Sequence, residues 1–294
     1  MSEGPPPHGP RGRPAGGKPP GGKTPSGKTP GGKPPFRPHG QRPQRPPEDL
    51  PAPAADGLVV LFGWHPVVEA LRNPNRTPRR LIATENGARR LEEAGALDRI
   101  RPEIVRPQVL DRMLGADAVH QGLYLEAEPL PSPPLDALPE GAVLLALDQV
   151  TDPHNVGAIV RTAAAYGVAG IITTARHSPA ATGVLAKAAS GGLEHVPIVI
   201  VRNLAETLIA LGEAGVMRIG LDSEAPMQLR AVAPQRPFVL VLGAEGKGLR
   251  ERTRSCCDAL VRLDLPGAIK SLNVSNAAAT ALHALVGETP ALPK

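Results

Sequence analysis

The chain has 294 residues, a formal net charge of +5, two cysteines and 2% aromatic residues. Cys256 and Cys257 are adjacent and form neither a disulfide framework nor a metal-ligand pattern, and no apolar run reaches the roughly 18 residues of a membrane helix. So low an aromatic content argues against base stacking on an aromatic platform, and the expectation is a soluble protein of a reducing cytoplasm, with no metal and no membrane partner.

Residues 1–56 hold 17 of the 36 prolines, and nine Lys/Arg against Glu3, Glu48, Asp49 and Asp56. With almost no large apolar residue, such a segment cannot offset its ordering entropy and is expected to be disordered. It carries two overlapping matches to the phosphate-loop pattern, Gly17 to Thr24 and Gly22 to Thr29. That pattern binds phosphate only between a strand and a helix. Here Pro19, Pro20, Pro25 and Pro30 flank it, so the matches come from the Gly-Lys-Pro repeat. The basic tail suits loose attraction to a polyanion or simple solubilisation. No apolar stretch makes it a signal peptide, and its composition is not that of a transit peptide. The remaining chain has 24 basic and 24 acidic residues.

Ordered structure is expected from Gly57. "LVVLFGWHPVVEALRN" predicts a strand or turn and then a helix, with Val67, Val68 and Leu71 on one face. A strand at "RRLIATE", a helix at "GARRLEEAGA", a short strand at "IVRP", a helix at "PQVLDRMLG" and a strand at "GLYLEAEPL" follow. Together they predict a small α/β domain over 57–128, with nine arginines between Arg72 and Arg106 against five acids. The Pro-rich stretch 129–140 reads as a linker.

From 141 the pattern is regular. Apolar runs at "AVLLALD", "GIITT", "VPIVIV", "VMRIGLD", "FVLVLG" and "ALVRLDL" alternate with helices predicted over 156–166, 180–190, 203–214, 248–256 and 273–286. Asn203 with Glu206 forms a capping box, and Gly167 stands at a helix C-cap. The fold class is α/β, with a parallel sheet covered on both faces. Ligands in such sheets lie beyond the carboxyl ends of the strands. No G-x-G-x-x-G follows the first strand; the glycine-rich polar stretches are 242–249 and 265–275. The site is therefore expected late in the chain.

Three stretches carry candidate chemistry. Asn155 and Arg161 lie six residues apart, about 600° of helix, and share a face only loosely. Asn155 could be an N-cap; Arg161, in an apolar helix, must snorkel, pair or grip an anion. "GAEGKG" sets Glu245 among Gly243, Gly246 and Gly248, an approach for a ligand or a plain turn. Ser271, Asn273 and Ser275 crowd one helix start, more polar groups than a cap requires. His154 has no partner in its motif and reads as structural; the cysteines read as small buried hydrophobes.

"DPHNVGAIVRTAAAYGV", "VLGAEGKGL" and "LPGAIKSLNVSNAAA" resemble, in order, the three signature motifs of the SpoU family of RNA 2′-O-ribose methyltransferases. "FGWHPVVEAL" and "AVHQGLYLEAEPL" resemble that family's RNA-recognition domain. The resemblance is strongest to the type acting on a guanosine of 23S rRNA. It implies a knotted domain over 141–294, its sheet tied in a trefoil, with S-adenosylmethionine as donor, RNA as partner and a homodimer. It carries Asn155, Arg161, Glu245, Ser271 and Asn273 over to the catalytic set, and Gly243, Leu263, Gly267 and Leu272 to donor binding. Within that set Arg161 is expected to grip a phosphate and steady the developing alkoxide, oriented by Glu245 and Asn155. The third motif commonly begins Ile-Pro-Met; here it reads Leu263-Asp264-Leu265, with proline at 266. Two other outcomes are a tRNA 2′-O-methyltransferase and a non-catalytic RNA-binding protein of the same fold.

Overall fold

The computed structural model describes residues 57–286 except 116, 138 and 177–182. The expected tail, the first three residues of the helix predicted from 180, and residues 287–294 lie outside that set.

The first sheet forms from β1 (Val59–Phe62), β2 (Pro78–Ala83), β3 (Glu103–Ile104) and β4 (Leu123–Ala127), in the order β1-β4-β2-β3. β4 runs antiparallel to both neighbours, and β3 parallel to β2. Helices α1 (Trp64–Arg72), α2 (Glu85–Glu93) and α3 (Pro107–Leu114) connect the strands. Thr84 caps α2 by accepting from Gly87 N at 3.1 Å. Val67, Val68 and Leu71 pack with Leu81, Leu123 and Leu125 in one core, as the helical spacing requires.

The second sheet contains β5 (Val143–Asp148), β6 (Gly170–Thr174), β7 (Ile198–Val201), β8 (Met217–Leu221), β9 (Met227–Gln228), β10 (Phe238–Gly243) and β11 (Ala259–Arg262). Its order is β7-β6-β5-β10-β8-β11-β9, and every pairing is parallel. The helices are α4 (Pro153–Ala165), α5 (Gly183–Ala189), α6 (Leu204–Glu213), α7 (Glu251–Arg254) and α8 (Val274–Val286). Strand residues alternate between two cores. Val143, Leu145, Leu147, Phe238, Leu240 and Leu242 face α4 and α8. Leu144, Ala146, Val239 and Val241 face α6 and Cys256. This is the doubly covered parallel sheet that the apolar runs predict. Among the described residues no helix is long and apolar enough to cross a membrane.

Two differences from the pattern have physical causes. The helix predicted over 248–256 shrinks to Glu251–Arg254. Gly248 takes a left-handed φ of 64°, and the N–H of Arg250 is drawn to the carboxylate of Asp148 at 2.9 Å; both hold the chain out of the helix. β9 has two residues and, among the described residues, pairs with β11 alone, too short to register as an apolar run.

Candidate active site

α4, the turn after β10 and the start of α8 converge at the carboxyl ends of β5 and β10. Asp152 caps α4, accepting from His154 N at 2.9 Å. Asn155 is therefore not the cap. It sits one turn in, 9% exposed, and its Nδ2 donates to Glu245 Oε1 at 3.1 Å and to Asp152 Oδ2 at 3.3 Å. Asn273 Nδ2 donates to Glu245 Oε1 at 2.5 Å and to Asn155 Oδ1 at 2.9 Å. Each amide thus spends both hydrogens inside the cluster. Glu245 Oε1 also accepts the N–H of Val274 at 3.3 Å. One carboxylate oxygen ties three segments together, and a turn glutamate of no consequence would not do so. Asn273 is itself a cap for α8, its Oδ1 accepting from Ser275 N at 2.9 Å and Ser275 Oγ at 2.6 Å. Ser271 is exposed and faces the cleft.

That cleft, of about 770 Å³, runs beside the cluster. Leu221, Leu242, Leu263, Leu265 and Leu272 give it an apolar lining, and Gly243–Gly246 bring backbone to it. Gly243 has no room for a side chain: a Cβ there would stand 2.2 Å from the carbonyl carbon of Gly248. The turn closes on itself through Gly248 N donating to Ala244 O at 2.8 Å, with Gly246 also left-handed at φ 74°.

Not every candidate joins this cluster. Arg161 is exposed, has no side-chain partner among the described residues and does not line the cleft. Asn155 and Glu245 therefore bond to each other and to Asn273, not to Arg161. Gly267 lies outside the cleft lining, in a loop closed by Lys270 Nζ donating to Leu265 O at 2.7 Å. His154 is exposed rather than packed. Cys256 is buried, and burial pushes the half-buried Cys257 thiol up to about 12, in keeping with two small core hydrophobes.

A sequence profile of the SpoU rRNA Methylase family matches residues 142–283, and one of RNA 2′-O ribose methyltransferase substrate binding matches 60–133. The 23S rRNA (guanosine-2′-O-)-methyltransferase RlmB of Ralstonia nicotianae is 37% identical, over 80% of this chain and 97% of its own. The chain belongs to the SpoU rRNA methylase family. The RlmB of Pseudomonas aeruginosa is 42% identical over 58% of this chain and 72% of its own. The crystal structure of the SpoU methyltransferase AviRb from Streptomyces viridochromogenes, in complex with the cofactor AdoMet, has 25% identity and a TM-score of 0.67, covering 79% of this chain and 90% of that one.

Two further pairs frame this SpoU site and were not among the sequence candidates. Asp148, 1% exposed at the end of β5, accepts from Arg250 Nε at 2.7 Å as well as from its N–H. Asp222, just beyond β8 and 6% exposed, pairs with Arg254 Nη1 at 2.6 Å. The two aspartates flank β10, so α7 and its lead-in are pinned on both sides of the Glu245 turn. The signal was an aspartate ending each of two apolar runs, "LLALD" and "RIGLD". At the departure from the SpoU motif, Asp264 pairs with Arg230 at 2.8 Å, an exposed tether where proline would have stiffened the backbone.

Proposed function

We infer that the protein transfers a methyl group from S-adenosylmethionine to a ribose 2′-OH of RNA, in a guanosine of 23S rRNA. The observation that carries this reading is the single oxygen of Glu245 joining Asn155, Asn273 and Val274, beside a cleft lined with leucines and glycine backbone. The cleft fits the donor: its volume is that of a small-molecule site, apolar for a purine and with backbone groups for polar edges.

Gly243, Leu263 and Leu272 hold the donor, with Gly267 in the loop leading to them. When bound, the donor supplies an electrophilic methyl group. Asn155, Glu245 and Asn273 fix the approach of the ribose, since positioning supplies much of the rate of such a transfer. Among the described residues the second oxygen of Glu245 and the hydroxyl of Ser271 have no hydrogen-bond partner, and they meet the ribose hydroxyls. Arg161 brings a planar guanidinium fork, suited to a phosphate and to an oxygen gaining negative charge. The hydroxyl proton leaves to water or to a phosphate oxygen. The reading includes a homodimer, a trefoil knot tied by the C-terminal segment, a cytoplasmic location, and an RNA-recognition domain at 57–128 joined by a linker to the methyltransferase domain from 141.

Mapping 2′-O-methyl groups on total RNA from cells with and without this chain tests the reading. We expect one 23S rRNA guanosine to lose its methyl group, wild type to restore it, and Arg161→Lys to restore methylation at a rate lower by at least about tenfold. A changed tRNA position instead redirects the substrate. No change in any RNA overturns the enzyme, and full restoration by Arg161→Lys overturns the role of the fork.

A further inference from the structure

Methyl transfer leaves unexplained a buried ion pair far along the chain from the Glu245 cluster. Arg76, between α1 and β2, is 3% exposed, and the Glu194 side chain, in the 3-10 turn Gly192–Glu194 after α5, is also 3% exposed. Arg76 Nη2 donates to Glu194 Oε1 at 2.5 Å and Nε to Oε2 at 3.2 Å. Asn73 Nδ2 adds a bond to Oε2 at 2.8 Å, and Arg76 Nη1 donates to Glu128 O at 2.8 Å. A two-pronged guanidinium–carboxylate contact fixes angle as well as distance. Buried pairs add little net stability over apolar packing; their attested use is to select one arrangement.

The surroundings make residues 183–195 a single layer between the four-stranded unit and α4. On one side Ala186 belongs to the small core, and Leu193 packs against both cores. A Cβ on Gly191, left-handed at φ 90°, would come within 2.7 Å of Glu69 Cγ. His195 Nε2 lies 3.0 Å from Glu69 Oε2, and Lys187 Nζ donates to Val119 O. On the other side, a Cβ on Gly157 of α4 would meet Ala188 Cβ at 2.4 Å, and one on Gly192 would stand 3.2 Å from Arg161 Cα. The layer thus touches the backbone of the helix carrying Asn155 and Arg161.

We propose that Arg76 and Glu194 are specificity-determining positioning residues, locking the four-stranded unit at one distance and angle to α4 so that the grip on RNA selects which nucleotide is methylated. The selection rests on the methyl-transfer reading above; the lock does not.

Spin labels at Arg101→Cys and Glu213→Cys, both exposed positions, report the lock by pulsed electron resonance. Cys256 is buried and Cys257 holds its proton, so the introduced thiols label first, and single-label samples identify distances between protomers. The full chain should give one narrow intramolecular distance, and Glu194→Gln a broad one. In methylation, Glu194→Gln should leave donor affinity within about twofold, raise the RNA KM about tenfold and spread methyl groups to neighbouring nucleotides. If Glu194→Gln fails to fold, His195→Ala, which cuts only the exposed contact to Glu69, should broaden the distance to a lesser degree. A broad distance in the unsubstituted pair overturns the lock, as does an unchanged one in folded Glu194→Gln or, where that variant does not fold, in His195→Ala. An unchanged KM and single methylated nucleotide in folded Glu194→Gln overturns the selection. A narrow distance in a wild type that methylates no RNA overturns the methyl-transfer reading and the selection, and leaves the lock standing.

Discussion

In the four-stranded sheet the charged groups lie along the strands, whereas in the seven-stranded sheet the buried carboxylates lie at strand ends. On β4, Tyr124 Oη donates to Glu126 Oε1 at 3.0 Å, and Glu126 is 5% exposed. Arg80 on β2 reaches Glu126 and, on β3, Glu103. β5 and β10 are apolar along their lengths; Asp148 ends β5, and Asp222, just beyond β8, lines the cleft. The first arrangement stitches strands to each other; the second holds the loop that carries Glu245. The same contrast bears on RNA binding. Nine arginines between Arg72 and Arg106 read as an electrostatic footprint. Yet Arg76, Arg79 and Arg80 pair with carboxylates, Arg99 donates to the carbonyls of Asn73 and Arg76, and Arg90 lies 4.0 Å over the Trp64 ring. Much of that charge goes to contacts within the small unit, and that of Arg76 to its joint with Glu194.

The largest effect should come from the strand-end cluster. Glu245→Ala removes the acceptor shared by Asn155, Asn273 and Val274. We expect the methylation rate to fall about 10²- to 10³-fold, measured in single turnovers with the donor saturating and its affinity checked by calorimetry. Glu126→Gln, in the small sheet, should lower stability and leave that rate nearly unchanged. Equal rate losses in both would erase the distinction between the sheets.

Asp148→Asn sharpens it. Asparagine can still accept the N–H of Arg250 but no longer answers its guanidinium, which is 43% exposed and partly solvated. We expect unfolding stability to drop by about 1–3 kcal/mol. Because the loop carrying Gly243 and Glu245 loosens with it, donor binding should weaken too. Urea unfolding and donor titration on one preparation decide whether both move, as a strand-end role requires.

How far the sequence revealed this follows from what a local pattern can carry. Alternation of short apolar runs with helical stretches is a local signal, and it delivered the parallel sheet with its two cores. Motif order placed Asn155, Glu245 and Asn273 in one site. The Asp148–Arg250 bond spans 102 residues, and nothing near either residue names the other. The short α7 followed from that unseen bond. The 600° arithmetic left Arg161 loosely beside Asn155, and the fold shows it apart, because helical angle fixes direction and not the neighbour that fills it. Arg76 drew notice only as part of a basic bias, since sequence reports charge without reporting burial.

The smallest effect belongs to the small sheet and tests the other half of the contrast. Arg80 Nε and Nη2 donate to the two oxygens of Glu103, each at 2.9 Å. Those bonds hold the Glu103 carboxyl below its ordinary value of 4.5, against a smaller opposing push from desolvation. A depressed carboxyl stabilises the fold fully above its unfolded value and loses that contribution as pH falls through the folded one. The Glu103 side chain is 53% exposed, so the contribution should stay under about 1 kcal/mol. Glu103→Gln should therefore be slightly less stable than wild type in urea at neutral pH. The gap should narrow below 4.5 and close once the native carboxyl is protonated, and salt near 1 M should shrink it at neutral pH. A gap that survived both acid and salt would trace to the shape of the glutamine rather than to charge along the strands.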